Sequence, residues 1–181
     1  NSINNQEYKN IRHIISNDNS NCSYLNNDLE VYFVEKIGGE VFYNLYLNIL
    51  ASKVESGWVI IMDDDSKIIE NSFLSKLSQI CKESNENDII IFQAKVGNRN
   101  AILPSDIHMK KKIFTQGGID MVCFCVYFTV FNYYKFTSKR CGDYNFLNKL
   151  RSSKNYNFKY IDNLPIGIWA NYNGHMSGKN D

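Results

Sequence analysis

The segment GWVIIMDDDSKI, residues 57–68, indicates the fold class more directly than any other part of the chain. Its apolar run at 58–62 has no polar alternation, which is typical of a β-strand covered on both faces. The run ends in three consecutive carboxylates, Asp63, Asp64 and Asp65. We therefore expect a buried strand that delivers acidic side chains to its carboxyl end.

The sequence around this segment alternates strand and helix signals. The predicted strands lie at 11–16, 30–36, 57–62, 88–94 and 157–162, and the predicted helices at about 42–53, 70–83 and 142–153. We expect a loop at 96–112, one long or two short strands at 119–131, and an irregular tail at 164–181. The alternation predicts an α/β layer with a mostly parallel sheet, in which ligands bind beyond the carboxyl ends of the strands.

Composition limits the classes of function that remain. The 181 residues, 44% of them hydrophobic, suit one domain with a sizeable core. A formal net charge of +1 excludes a global field that would draw the chain onto nucleic acid or anionic lipid. The five cysteines, two of them inside an apolar run, predict reduced core residues and a cytoplasmic location. No signal peptide and no apolar stretch of bilayer length is evident, so we expect a soluble chain.

The aspartate triplet has two interpretations. On an extended backbone Asp63 and Asp65 point to the same side, so the pair can share a hard divalent cation, Mg²⁺ or Mn²⁺. Such an ion takes its other ligands from phosphate oxygens and water. Alternatively, the triplet is a solvated turn that caps the helix beginning near residue 71. Its place at the end of a buried strand favours the cation.

The segment at 57–77 resembles the DXD region of family 2 glycosyltransferases with the GT-A fold, in which a strand ends in D-x-D before a short connection and a helix. The resemblance extends upstream, where residues 2–21 are similar to the family's helix end, strand and D-D-G-S turn. Residues 43–58 look like the family's helix before the DXD strand. The resemblance implies a GT-A-like three-layer α/β/α domain over 1–181, with a nucleotide-binding half at 1–95 and an acceptor-side half at 96–181.

In that family the turn after the strand contacts the base or ribose of the donor, and here the turn carries Asn17 and Asp18. Asn17 departs from the family's acidic residue at its position. The resemblance further implies that Asp63 and Asp64 lie near the ribose and diphosphate, with Asp65, assisted by Asp63, as the metal ligand.

Two further residues match the family by position. Inverting members place a carboxylate base at the start of a helix in the second half, and Asp143 of the segment Gly142-Asp143-Tyr144 occupies that place. Read without the family, Asp143 is a helix N-cap, and the two roles can coexist. His175 matches a region where some GT-A enzymes bring a histidine to the metal or diphosphate, although a lone histidine is more often a surface residue.

The resemblance implies a metal-dependent inverting glycosyltransferase that moves a sugar from a nucleotide-diphosphate donor, a UDP-sugar by expectation, to a glycan or other hydroxyl acceptor. The alternative is a non-catalytic GT-A-like module that binds nucleotide sugar or glycan. The family's first strand and the start of its first helix have no counterpart here, so we expect a fragment or a shortened homologue. An exposed sheet edge would then be covered, for example by a second copy of the chain.

Overall fold

The computed structural model describes residues 2–17, 30–34, 43–97 and 101–170. Within these ranges the chain forms an α/β structure with one two-stranded and two four-stranded sheets. The strands are β1 (Ile14–Asn17), β2 (Glu30–Phe33), β3 (Trp58–Ile60), β4 (Ser66–Ile68), β5 (Asp88–Ile91), β6 (Ala94–Val96), β7 (Ala101–Leu103), β8 (Phe124–Tyr127), β9 (Asn157–Tyr160) and β10 (Ile168–Ala170). The helices are α1 (Tyr43–Ala51), α2 (Phe73–Lys82), α3 (Asp106–Lys111), α4 (Val130–Tyr133) and α5 (Gly142–Ser153).

The first four-stranded sheet has the order β3-β8-β5-β9 and carries the centre of the core. Strand β8 runs antiparallel to both β3 and β5, whereas β5 and β9 are parallel. The segment 89–92 in and after β5 is completely buried, as its unbroken apolar sequence predicts. The α/β class is therefore confirmed, but the sheet is mixed, and the finer expectation of a mostly parallel sheet is not confirmed.

The second four-stranded sheet, with the order β4-β10-β6-β7, contains elements that the sequence did not predict. The expected loop at 96–112 forms β7 and α3 instead, and the expected irregular tail contributes β10. Strand β10 pairs with β4 on one side and with β6 on the other. These strands have three residues each, which is too short for a period-2 pattern to distinguish them from loops.

The β-prone run at 119–131 also differs from expectation. Only residues 124–127 form a strand, preceded by a 3-10 turn at Met121–Cys123 and followed by α4. The side chain of Asp120 caps the turn, since its Oδ1 accepts a hydrogen bond from the backbone N–H of Val122 at 3.2 Å. Because the carboxylate of Asp120 caps it, the start of this run forms a turn instead of a strand.

The three longer helices confirm the periodic apolar patterns from which they were predicted. Helix α2 buries Phe73, Leu77 and Cys81, and α5 buries a comparable stripe that includes Phe146 and Leu150. The prediction that Asp143 is the N-cap of α5 is wrong, since the N-cap is Cys141. The backbone of Cys141 has a φ of 56°, and its side chain makes no cap hydrogen bond. Asp143 lies one residue inside the helix, because Gly142 already belongs to its first turn.

Strands β1 and β2 form a separate parallel pair. Each four-stranded sheet contains strands from both sides of residue 95, the expected boundary between the two halves of the domain.

The described cysteines, at positions 81, 123, 125 and 141, are free thiols, in agreement with the prediction of reduced residues. Across the described ranges, no helix has the length and apolarity that a membrane crossing requires.

Candidate active site

The aspartate triplet follows β3 in a tight turn that leads directly into β4. The backbone N–H of Ser66 donates to the carbonyl oxygen of Asp63 at 3.0 Å, which closes the turn. Asp64 and Asp65 are exposed at its tip, whereas Asp63 is half-buried. The backbone is therefore not extended through Asp65, and the argument that alternation places Asp63 and Asp65 on one side is wrong. Turn geometry, not strand alternation, brings the two carboxylates close enough to interact.

Asp63 lies in an environment that opposes its ionisation. Burial, followed in decreasing order by the neighbouring charges of Asp120, Asp65 and Asp64, raises the pKa of its carboxyl to about 6. Each of these causes disfavours the charged form. Asp63 therefore interacts both with the carboxylates of its own turn and with a second source of negative charge from another part of the chain.

That second source is Asp120, which the sequence did not single out. Asp120 is only 7% exposed. Burial, together with the charges of Asp143 and Asp65, raises the pKa of its carboxyl to about 6. The N–H groups of Val122 and Met121 act in the opposite direction, because they donate to the charged form. A carboxylate buried to this extent beside two others is typical of a functional site.

The direction of β8 explains why Asp120 and Asp63 are neighbours. In the antiparallel ladder Trp58 lies opposite Tyr127 and Ile60 lies opposite Cys125, so the end of β3 faces the beginning of β8. Asp63 follows β3 and Asp120 precedes β8. The available signal in the sequence was the acid at the entrance to an apolar run, but its significance depends on the strand direction.

Asp143 completes the acidic cluster, which we define as Asp63, Asp65, Asp120 and Asp143. Burial raises the pKa of the Asp143 carboxyl, and the charge of Asp63 adds to this, while the backbone N–H of Tyr144 lowers it. That N–H donates to Oδ1 of Asp143 at 2.7 Å, which fixes the orientation of the carboxylate. The predicted base and the predicted diphosphate site are therefore brought together.

Two asparagines of α1 hold the segment that leads to Asp143. The side-chain amide of Asn44 donates to the carbonyl oxygens of Thr137 at 2.9 Å and Lys139 at 3.2 Å. Asn48, one helical turn later, donates to the carbonyl oxygen of Phe136 and accepts from its N–H, both at 2.9 Å. Because these positions are four residues apart, they lie on one face of α1 and fix several backbone groups at once.

Helix α5 is also held by aromatic packing. The ring of Phe146 stacks on Phe136 with a centroid distance of 4.4 Å and on Phe124, the first residue of β8, at 6.1 Å. The first turn of α5 is consequently anchored beside the beginning of β8. The packing of apolar side chains thus sets the position of two of the four carboxylates.

The chemistry of the acidic cluster suits a divalent cation, because a hard cation relieves the mutual repulsion of carboxylates that burial has already made costly to ionise. Among the described residues, however, no group of three or more His, Cys, Asp or Glu side chains is arranged to hold a metal ion. A cation would accordingly take one or two protein carboxylates and obtain its remaining ligands from substrate and water, the arrangement typical of Mg²⁺ sites.

The other predicted site residues are Asn17, Asp18, Asp64 and His175. Asn17 is the last residue of β1, where its carbonyl oxygen accepts a hydrogen bond from Val34 at 3.0 Å. Asp64 lies in the turn beside Asp63, as expected from its position. Asp18 and His175 lie outside the described residues, so their predicted contacts with nucleotide and metal stay predictions.

Comparison with known proteins adds no relative. The chain matches no protein-family model, and a search of curated proteins gave no match. The function is therefore inferred from the geometry of the acidic cluster and from the resemblance of the motifs.

Proposed function

We propose that the chain is a metal-dependent inverting glycosyltransferase with a GT-A-like fold, which uses a nucleotide-diphosphate sugar and a hydroxyl acceptor. The observation that carries the proposal is the meeting of Asp63, Asp120 and Asp143 from three separate elements, with the pKa of each carboxyl raised. Buried, mutually repelling carboxylates destabilise a fold, so their concentration in one place favours a functional reason for them.

In this proposal Asp143 is the general base. It accepts the proton of the acceptor hydroxyl while that oxygen forms a bond to the anomeric carbon, and the bond from this carbon to the diphosphate oxygen breaks. The electron pair leaves with the nucleoside diphosphate, so no covalent enzyme intermediate is required. A raised pKa makes a carboxylate a better proton acceptor near neutral pH, provided that it is ionised when substrate is bound.

Asp63 and Asp65 would hold Mn²⁺ or Mg²⁺ together with the donor diphosphate, and the ion would neutralise the charge of the leaving group. Asp64, at the tip of the same turn, would contact the ribose side of the donor. Asp120 supplies a further acceptor for a sugar hydroxyl. Asn17, Asp18 and His175 keep the nucleotide and metal roles that the resemblance implies for them.

The proposal is tested by incubating the protein with a panel of nucleotide sugars and Mn²⁺ and measuring nucleotide release with and without glycan acceptors. We expect release with one donor, loss of at least 100-fold in Asp65→Ala, and donor binding without transfer in Asp143→Asn. The matched control is Glu86→Gln, since Glu86 is an exposed carboxylate that precedes β5. Strands β3 and β5 both run antiparallel to β8, so Glu86, before β5, and Asp63, after β3, lie at opposite ends of the sheet.

Each outcome of the panel decides between the two functions. Absence of release together with donor-dependent thermal stabilisation that Asp65→Ala abolishes would assign the chain to the non-catalytic binding module. Absence of both release and stabilisation for every donor would reject both readings. Unchanged transfer in Asp143→Asn would remove Asp143 from the mechanism.

A further inference from the structure

The outer face of the second sheet carries two lysines, one on either side of a tryptophan. Trp169 of β10 is paired in register with Lys67 of β4 and with Lys95 of β6. Residues that are paired across strands share one face of the sheet, so the three side chains project to the same side. Lys67 is exposed, and Trp169 and Lys95 are half-buried. We call these three residues the basic row.

The opposite face of the same strands packs into the core. Ile168 and Ala170, on either side of Trp169, are completely buried, and so is Ala94, which precedes Lys95. All three belong to the hydrophobic core cluster. Because side chains alternate between the two faces along a strand, the basic row points away from the core.

The tryptophan holds one of the two cations in place. Nζ of Lys67 lies 4.4 Å from the centroid of the Trp169 ring, a distance at which the ring attracts the ammonium group. The indole N–H of Trp169 donates to the carbonyl oxygen of Gly97 at 3.5 Å, which orients the ring. A ligand that binds Lys67 therefore meets a side chain that is already ordered, and this lowers the entropic cost of binding.

The described structure does not neutralise either lysine of the basic row. The ion pairs of the described ranges join Arg12 to Glu30 and Lys159 to Asp88. Within those ranges, Lys67 and Lys95 thus have no carboxylate partner. The face is consequently complementary to a ligand that carries negative charge.

The undescribed segments next to these strands in sequence do not supply that charge. Residues 98–100 follow β6, and residues 171–181 follow β10. Together they contain two cations and one carboxylate, namely Arg99, Lys179 and Asp181. Their sequences therefore add more positive than negative charge, so the complementary anion is expected from another molecule.

The acidic turn beside the basic row restricts what this molecule can be. Lys67 lies two residues after the exposed Asp65, and two residues of chain span at most about 7 Å. A ligand that extends over both regions must present negative charge to the lysines and neutral groups to the aspartates. A nucleic acid carries a charge at every phosphate and is repelled by the turn. A glycan that is charged on only some of its sugars meets both requirements.

The spacing of the two lysines favours single charges on separate sugars. Strand β10 separates β4 from β6, so two strand spacings of about 4.8 Å place the α-carbons of Lys67 and Lys95 about 10 Å apart. A phosphomonoester concentrates a charge of about −2 on one group and is better matched by cations that converge. Carboxylates on different sugars of one chain match two separated cations.

We propose that the basic row binds an acidic glycan, whose uronic acid carboxylates pair with Lys67 and Lys95. The neutral hydroxyls of the same glycan then lie toward the acidic turn. That this glycan is the acceptor of the transfer rests on the proposed function, whereas its binding to the basic row does not.

The test measures the binding of tetragalacturonate to the unaltered full chain by titration calorimetry, without donor or metal ion. The matched ligand is the methyl ester of the same tetrasaccharide, which keeps the sugars and their linkages but has no charge. We expect saturable binding of the acid and at least tenfold weaker binding of the ester. Absence of binding, or equal affinity for the ester, would overturn the proposal. So would tighter binding of single-stranded tetrathymidylate, since that result would assign the face to nucleic acid.

Two substitutions locate the binding on the chain. Lys67→Gln and Lys95→Gln should each weaken the binding of tetragalacturonate at least threefold, and the double variant at least tenfold. Lys149→Gln is the control, because Lys149 is an exposed lysine of α5 and not of the second sheet, and it should bind as the unaltered protein does. Equal affinities of the double variant and the control would overturn the proposal.

Trp169 reports directly on the face. In Trp58→Phe it is the remaining tryptophan, so its fluorescence should change as tetragalacturonate binds. Iodide should also quench it at least twofold more efficiently than caesium, which carries the opposite charge. Failure of both ions to reach Trp169 would show that another part of the chain covers the face, and would overturn the proposal.

The binding measurements and the donor panel can fail separately. Binding of tetragalacturonate without nucleotide release from any donor would reject the transferase and support the acidic-glycan site. Nucleotide release with a neutral acceptor, without binding of tetragalacturonate, would support the transferase and overturn the role of the basic row.

Discussion

Asp63 is the residue that connects a strand, a turn and a cluster of carboxylates. It follows the apolar run of β3, begins the turn to β4, and lies beside carboxylates from two later parts of the chain. Its environment costs folding free energy, because an ionised carboxylate is disfavoured both by burial and by neighbouring like charges. This cost gives Asp63 a measurable signature that an exposed aspartate in the same turn would lack.

We predict that, in the presence of EDTA, Asp63→Asn stabilises the protein more at pH 7.5 than at pH 4. The folded pKa of Asp63 is about 6, against a usual 3.8, so the folded state binds more protons than the unfolded state between these values. The free energy of unfolding therefore falls as pH rises from about 4 to about 6, and the loss persists above. The variant avoids a loss of about 1 to 3 kcal/mol.

Urea denaturation at the two pH values measures this effect, with Asp64→Asn as the matched control because Asp64 is exposed in the same turn. The control should change stability by less than about 0.5 kcal/mol at either pH. An equal effect of Asp63→Asn at pH 4 and pH 7.5 would contradict the raised pKa. With Mn²⁺ added at pH 7.5, the unaltered protein should instead be more stable than Asp63→Asn, since a bound cation favours the ionised carboxylate.

At the scale of elements, the contact between α1 and the beginning of α5 decides where Asp143 lies. Asn44 is 1% exposed and its amide reaches the backbone just before α5. A Cβ atom added to Gly142 would lie 2.5 Å from Nδ2 of Asn44, closer than Cβ contacts allow. Glycine is thus required at 142 by the close approach of a helix from another part of the chain.

We predict a favourable coupling between two substitutions at this contact. Gly142→Ala alone should destabilise the protein by about 1 to 3 kcal/mol, because the added methyl group displaces the Asn44 amide from its two carbonyl partners. Asn44→Ala removes the obstacle, so Gly142→Ala should cost at least about 0.5 kcal/mol less in that background. A double-mutant cycle by urea denaturation measures the difference. Strictly additive effects would show that the close approach is relieved in another way.

At the scale of the whole molecule, one hydrophobic core joins the two four-stranded sheets. Only Phe92 and Gln93 separate β5 of the first sheet from β6 of the second. Phe92 is fully buried against Phe73 of α2, with a centroid distance of 5.5 Å. Buried residues of both sheets belong to one contiguous cluster. A continuous core of this kind favours a single cooperative unit.

We predict that both sheets unfold together. The chain has two tryptophans, and the structure places Trp58 in β3 of the first sheet and Trp169 in β10 of the second. Trp169→Phe leaves a reporter in the first sheet, and Trp58→Phe leaves one in the second. Within each variant, the thermal midpoint from tryptophan fluorescence should equal that from far-ultraviolet circular dichroism. A difference of several degrees in either variant would instead indicate that the sheets unfold independently.

The local patterns of the sequence were sufficient for those elements that have a clear period. The apolar stripes of α1, α2 and α5 and the unbroken apolar runs of β3 and β5 are long enough to identify the element, and the acidic turn after β3 lies where it was predicted. Elements of three to six residues such as β7, β10 and α3 were missed, since such lengths show no period and depend on neighbours for their stability.

The sequence by itself determined the α/β class, the positions of the longer helices and the acidic end of β3, because these follow from side-chain periodicity and burial along one segment. Only the tertiary structure decided that β8 runs antiparallel to β3, and with it that Asp120 joins Asp63 and Asp143. The physical reason is that strand direction and the raised pKa of each carboxyl arise from contacts between distant segments. No local pattern of residues records those contacts.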